Sequence, residues 1–345
     1  MIANQGVAAF YKGEIALSID AQLRKLDSFL SIEDLHDDVA EWWEPVEINY
    51  KGYDIYTIGA PSNGFVSLLI LGIMSHFTPN NKEHNSQNYL HFLLEAVKAS
   101  NRIRLSTPGT PEAKDFITNQ LLTDDNFFSI AKSINKEKAS TLQGVEEGKD
   151  TTHFVIIDQK GNIVSSTQTL GNGFGSKIMI EGRGIWMNNA MAFSTFEPKD
   201  NPMDVHAGKY KLSSNSPIII LKNSTPWAAL GTPGGHTIPQ NISQVVMNLI
   251  DFKMGMQDAI DASKVTFLEE ENVVKLESGI KKSVISSLKE KGHTITYGDI
   301  GNAMGVKIFT NTNSISFDVG VDKRRDGWSQ VNIPQKIWES TSAID

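Results

Sequence analysis

The sequence predicts an α+β fold. From Val7 to Ile134 apolar residues recur mostly at helical spacing, whereas beyond Thr151 the period drops to two in short bounded runs. Those strand runs come in blocks followed by helices, not in strict alternation, which argues against a parallel doubly wound sheet. The two regimes meet at a polar, aperiodic run from Lys136 to Asp150.

Val7 to Leu26 carries apolar residues at helical spacing, and Ser31-Ile32-Glu33-Asp34 has the form of a capped helix start. Val46 to Ile58 alternates around Lys51-Gly52 and reads as a hairpin. Gly64 to Phe77 and Asn88 to Ile103 are two further helices, and Thr107-Pro108-Gly109-Thr110-Pro111 stops the second. Asp115 to Leu122 and Asp125 to Ile134 follow as shorter helices. In the second half strands are expected at 152–158, 163–169, 218–222 and 226–230, then helices at 239–251 and 256–263. Strands near 272–276, 304–310 and 314–318 surround a helix at 282–291.

At 345 residues the chain exceeds one average domain, although large layered folds form single units of this size. A net charge of −8, with Lys281-Lys282 and Arg324-Arg325 as isolated basic pairs, argues against a nucleic-acid partner. The longest apolar stretch, Phe65 to Met74, is too short to span a bilayer. Met1 to Asn4 lead directly into a helical pattern with no signal-peptide architecture, so a cytoplasmic location is favoured. The absence of cysteine excludes disulfides, thiolate metal sites and cysteine nucleophiles. His76, His84 and His91 are too irregularly spaced for a metal face, and neither HExxH nor G-x-S-x-G occurs. Neither a metal nor an organic cofactor is expected.

Asp150-Thr151-Thr152-His153-Phe154 stands where the linker gives way to the first strand of the second half. A threonine in that position becomes a new N-terminus if the chain cuts itself before it. Its α-amine, with an ordinary pKa of about 7.7–8.0, can then take the proton from its own hydroxyl. That is the chemistry of N-terminal-nucleophile hydrolases. A surface threonine ahead of an edge strand has the same local sequence, so the motif alone leaves both readings open.

The ordered series that follows is more specific. It runs Thr151-Thr152-His153, Asp158-x-x-Gly161-Asn162, Thr169-Leu170, Phe174-Gly175-Ser176, Asn188-Asn189-x-Met191, Ser213-Ser214-x-Ser216-Pro217 and Gly231-x-Pro233-Gly234-Gly235, ending at Asp322-x-Arg324-Arg325-Asp326-Gly327. This series resembles the small subunit of the γ-glutamyltransferase (γ-glutamyltranspeptidase) family. Phe10 to Ala16, Tyr50 to Tyr56 and Pro61-Ser62-Asn63-Gly64 resemble the end of its large subunit.

The resemblance implies an αββα sandwich of the N-terminal-nucleophile hydrolase type, incomplete at the N-terminus. Residues 1–150 would be the C-terminal part of a large-subunit-like segment ending in a processing linker, and 151–345 the small-subunit-like catalytic segment. Cleavage would fall between Asp150 and Thr151. Thr151 would be the nucleophile and Thr169 the second threonine hydrogen-bonded to it. Gly234 and Gly235 would form the oxyanion hole, with Ser213 and Ser214 on the substrate carboxylate. The implied reaction is transfer or hydrolysis of γ-glutamyl amides such as glutathione, with water or an amine as acceptor. The two fragments would remain associated, and a separate polypeptide is a candidate for the family's remaining N-terminal segment.

Departures from the family pattern keep two other readings open. The family's asparagine two residues after the second threonine is Gly171 here, and Asn172 follows. Ala190 and Phe193 align with the glutamine and the acidic residue that hold the substrate ammonium. No arginine can be assigned to the α-carboxylate clamp: Arg24, Arg102 and Arg104 lie in helical patterns outside any matching motif. A catalytically silent or partner-dependent remnant is one alternative, and an acylase for non-glutamyl acyl groups is the other.

Overall fold

Lys51 and Gly52 both take positive φ, 53° and 82°, the geometry of a two-residue turn whose twist matches the strands it joins. They connect β1 (Val46–Tyr50) to β2 (Tyr53–Thr57), the first pair of the main sheet. The structure, a computed structural model, describes residues 1–77, 84–142, 144, 150–158, 160–194, 208, 210, 213–311 and 314–331.

Further strands are β3 (Asp150–Ile157), β4 (Ile163–Gly171), β5 (Met179–Ile180), β6 (Ile185–Trp186), β7 (Ile218–Lys222) and β8 (Thr225–Gly231). They are followed by β9 (Val265–Leu268), β10 (Val273–Leu276), β11 (Ile295–Tyr297), β12 (Met304–Asn311) and β13 (Ser314–Val321). The main sheet is six-stranded and antiparallel, in the order β1-β2-β7-β8-β12-β13. Helices Gly64–Ser75 and Ile238–Ile250 cover one face. The first is buried from Gly64 to Met74 and reads as an apolar run; the second is buried along its whole length, its polar Gln240, Ser243, Gln244 and Asn248 satisfied by buried hydrogen bonds. Phe65, Leu68, Ile242 and Val246 meet Ile55, Ile220 and Leu230 in the core between helices and sheet.

All of Ala228–Gly231 on β8 is buried, although side chains on a strand alternate between faces. Ala228 and Leu230 belong to the helix-side core, which leaves Ala229 and Gly231 for the opposite face. That face is covered by the β3–β4 hairpin. The Ser165 hydroxyl on β4 donates to the Leu230 carbonyl (3.2 Å), and the His153 ring on β3 lies against Gly231. Helices, a six-stranded sheet and a second, two-stranded sheet are thus stacked in the layer order of the expected sandwich. The outer face of the hairpin stays exposed at Ile156 and Val164. The fold is the mixed α+β sandwich that the sequence predicts.

Two helical expectations need correction. Val7 to Leu26 is not one helix: Ala8–Tyr11 and Glu14–Arg24 are separated at Gly13, where an added Cβ would meet the Ala9 carbonyl oxygen at 2.9 Å. Asp115 to Leu122 begins as a short α-helical turn and continues as a π-helix over Ile117–Leu121. Elsewhere Ser31 caps Ile32–Asp37 with a full capping box, worth about 1 kcal/mol in such settings.

The described part of the expected linker is strapped to the body. His91 donates through Nε2 to the Asn135 carbonyl (2.8 Å), Lys98 to the Ser140 carbonyl (2.7 Å) and Arg102 to that of Thr141 (3.2 Å). The Ala139 and Gly144 amides donate to the carbonyls of Lys291 and Glu269. Gly144 has no room for a side chain, since a Cβ there would lie 2.0 Å from a carboxylate oxygen of Glu269. Glu269 is buried in an ion pair with Arg104 (2.6 Å). Residues 145–149 lie outside the described residues.

Candidate active site

Thr151 sits directly opposite Thr169 in the antiparallel β3–β4 ladder. Its hydroxyl donates to the Thr169 hydroxyl at 3.4 Å, and the Gly171 amide donates to the same Thr169 oxygen at 2.9 Å. The chain enters β3 already at Asp150, which pairs with Gly171 and not Leu170, so the register shifts between Asp150 and Thr151 and the extra residue, Leu170, bulges from β4 opposite that peptide. Bulges re-aim side chains and break ladders, and they are concentrated beside active sites.

His153 anchors this pair to the main sheet. It is 3% exposed, its Nδ1 is 2.8 Å from the Thr167 hydroxyl, and burial pushes its pKa down to about 4. It is therefore a neutral ring wedged in the layer interface. Along the hairpin, Ser165 reaches Leu230 and His153, nearer the start of β3, reaches Gly231. Thr151 and Thr169, further along the same face, are carried toward the loop that leaves β8.

That loop is Thr232-Pro233-Gly234-Gly235. Gly234 and Gly235 have φ of 140° and 58°, which side chains rarely adopt, so glycine is required at both. The Thr237 hydroxyl donates to the Gly234 carbonyl (2.7 Å) and accepts from Asn241 (3.2 Å), which clamps the loop onto the first turn of the Ile238–Ile250 helix. Among the described residues, no hydrogen bond takes the amide of Gly234 or Gly235. Two free backbone donors on a rigid loop can receive an oxyanion.

Ser213 and Ser214 lie just ahead of β7, and neither hydroxyl is bonded to a described residue. Ala190–Phe193 forms a short 3-10 turn tied to the end of β4, where the Asn189 amide donates to the Leu170 carbonyl (2.9 Å) and the Asn172 amide donates to Asn189 Oδ1 (2.8 Å). Ala190, the residue after Asn189 in that turn, brings no charge there. Sequence reasoning missed the bulge and the wedge role of His153, for which the signal was a histidine facing inward on a half-buried strand.

Among the described residues one cluster has metal-capable ligands: His91, Glu95 and His293, with ligand atoms within 4.8 Å. Lys98 already fills it, with its ammonium 2.9 Å from Glu95 and 3.5 Å from His293. Because the Asn135 carbonyl can only accept, His91 Nδ1 must accept from His293 Nε2–H (2.9 Å). Burial lowers the pKa of His91, and that of His293 to about 3. The cluster is a closed, neutral-histidine network with its cation built in.

Comparison with known proteins places the chain. The profile of the gamma-glutamyltranspeptidase family matches residues 1–331. The glutathione hydrolase-like YwrD proenzyme of Bacillus subtilis (strain 168) is 29% identical over 333 residues, which cover 95% of this chain and 63% of that protein. The glutathione hydrolase proenzyme of Pseudomonas aeruginosa is 32% identical over 279 residues, covering 76% of this chain and 50% of that protein. A crystal structure of cephalosporin acylase from Bacillus halodurans superposes with a TM-score of 0.83 at 28% identity, covering 96% of this chain and 61% of that one. The chain therefore spans about half to three fifths of the length of the relatives it matches. A profile match over nearly the whole chain and a shared fold lead to one conclusion: the chain belongs to the gamma-glutamyltranspeptidase family.

Proposed function

We propose that the chain is a self-processing N-terminal-threonine enzyme that transfers or hydrolyses the acyl group of γ-glutamyl or related amides. The observation that carries this reading is the Thr151–Thr169 hydroxyl pair beside a register shift between Asp150 and Thr151. Relatives named glutathione hydrolase proenzymes support both the substrate class and the processing.

In the precursor the Thr151 hydroxyl attacks the Asp150 carbonyl carbon, and the acyl group moves from nitrogen to oxygen. Water then hydrolyses the ester, leaving a carboxylate at Asp150 and a free α-amine on Thr151. This yields fragments 1–150 and 151–345, which the shared core holds together. In the mature enzyme the Thr151 amine takes the hydroxyl proton and the oxygen attacks the substrate amide. The Gly234 and Gly235 amides hold the developing oxyanion, the leaving amine departs with the proton, and water or an acceptor amine releases the acyl group. The uncharged Ser213 and Ser214 hydroxyls donate to the substrate carboxylate. The greater length of the relatives and the exposed outer face of the hairpin support a further segment covering the second sheet, in cis or from a separate polypeptide.

Ala190, in the turn bonded to the end of β4, favours a second reading, an acylase for donors without an α-ammonium, which the cephalosporin acylase likeness also supports. Intact-mass analysis tests the processing. Thr151→Ala should leave one uncut chain with no turnover, against two fragments for the parent. A parent chain that stays uncut on prolonged incubation, with and without a completing segment, would leave a catalytically silent member of the family.

A further inference from the structure

The Ser213–Pro217 segment has no ladder of its own until β7 begins at Ile218. It is tied instead, residue by residue, to the start of the Gly64–Ser75 helix. The Ser213 amide donates to the Pro61 carbonyl (2.7 Å), and the Asn63 amide donates to the Ser213 carbonyl (2.5 Å). The Ser62 hydroxyl donates to the Asn215 carbonyl, and the Ser67 and Ser216 hydroxyls share a bond of 2.5 Å. Ser62, Ser67 and Ser216 are all buried. The backbone on both sides of Ser214 is thus fixed, while the Ser213 and Ser214 hydroxyls form no bond to a described residue. Holding the supporting shell rigid and leaving the ligand-facing groups free is how a small recognition site is preorganised.

We infer that Ser62 and Ser67 are positioning residues: they hold the Ser213–Ser214 hydroxyls where they distinguish an acyl donor bearing a carboxylate from one without. The inference rests on the reading that those two hydroxyls bind the donor carboxylate. It also means that this subsite, although carried by the fragment after the cut, takes its shape from the fragment before it.

The test compares glutaryl p-nitroanilide with butyryl p-nitroanilide, which lacks the carboxylate, on the processed full-length protein. Ser62→Ala and Ser67→Ala should each lower the glutaryl-to-butyryl ratio of kcat/KM by about tenfold, the scale of one misplaced hydrogen bond to an anion. Butyryl turnover should stay near the parent value. If the Ser213→Ala/Ser214→Ala pair collapses the ratio while both brace variants preserve it, the positioning inference is wrong and the carboxylate reading stands. An equal fall on both substrates would show a merely structural brace and also overturns the inference. A ratio unmoved by the Ser213/Ser214 pair, or no hydrolysis of either anilide by the parent, overturns the carboxylate or acyl-transfer reading itself, and this inference with it.

Discussion

Replacing Gly231 by alanine tests whether the sheet-to-hairpin contact holds the threonine pair in place. A Cβ on Gly231 would lie 2.1 Å from His153 Cε1 and 2.4 Å from its Nε2. Non-bonded carbons pack at about 3.5–4.0 Å, so the ring would have to retreat by roughly 1.5 Å. The retreat is obstructed, since His153 is buried and bonded to Thr167 at 2.8 Å. Overpacking of this kind costs about 1–3 kcal/mol and the lost hydrogen bond about 1 more, for a total of roughly 2–4 kcal/mol. The expected outcome is a lower urea midpoint and slower cleavage before Thr151, because the hairpin is lifted off β8. Adding His153→Ala to Gly231→Ala removes the obstructing ring and should recover part of the loss as a positive coupling between neighbours. Both are read from denaturation curves and from fragment mass against time. Parent-like stability and cleavage in Gly231→Ala would refute the reasoning, as would simple additivity of the two substitutions.

Two further outcomes follow from the site. A γ-glutamyl anilide should lag behind the glutaryl anilide: Ala190 offers no charge to the ammonium, and an unpartnered charge in a desolvated site costs about 3–5 kcal/mol, or roughly two to four orders of magnitude in kcat/KM. A preference for the γ-glutamyl compound would show that another residue holds the ammonium. Stability should fall on acidification. His153 and His293 are pushed down from 6.5 to about 4 and about 3, so below pH 6.5 the unfolded chain binds protons that the folded chain refuses. The loss accrues as pH drops from 6.5 toward those values, at about 1.4 kcal/mol per unit for each histidine. Denaturation at pH 7.5 and pH 5 checks it, and His153→Gln should flatten part of the slope.

Much of this fold could be read from local pattern. The hairpin of β3 and β4 was expected at 152–158 and 163–169 because the alternation flanks a turn signal, Gln159 to Asn162, and it forms at Asp150–Ile157 and Ile163–Gly171. The main-sheet strands and the Ile238–Ile250 helix were similarly legible, since burial on one or both faces imprints a period. What escaped depends on distant partners. β9, Val265–Leu268, exists because β10 pairs with it, and the acidic residues beyond it obscure its pattern. The break at Gly13 arises from a backbone approach, not from composition. Within the site, the residue types of Thr151, Thr169, Gly234 and Gly235 were visible. Their supports were not: the His153 wedge and the Ser62–Ser213 bridge join segments far apart in the chain, and no periodicity announces a bond across such a distance.

The strap that runs from Asn135 to Gly144 has a consequence for the kinetics of the cut protein. Once the Asp150–Thr151 bond is broken, the new terminus remains leashed at the Gly144 amide, which the Glu269 carbonyl holds. The six residues beyond that anchor can reach about 20 Å at most. If the proposed cut is made, a carboxylate confined within that reach would be present at an effective concentration on the order of millimolar. On the proposed cleavage and activity, that carboxylate would be a tethered anion competing with free substrate. Trimming the tail back to Gly144 after processing should lower the apparent KM for a carboxylate-bearing donor and leave kcat unchanged.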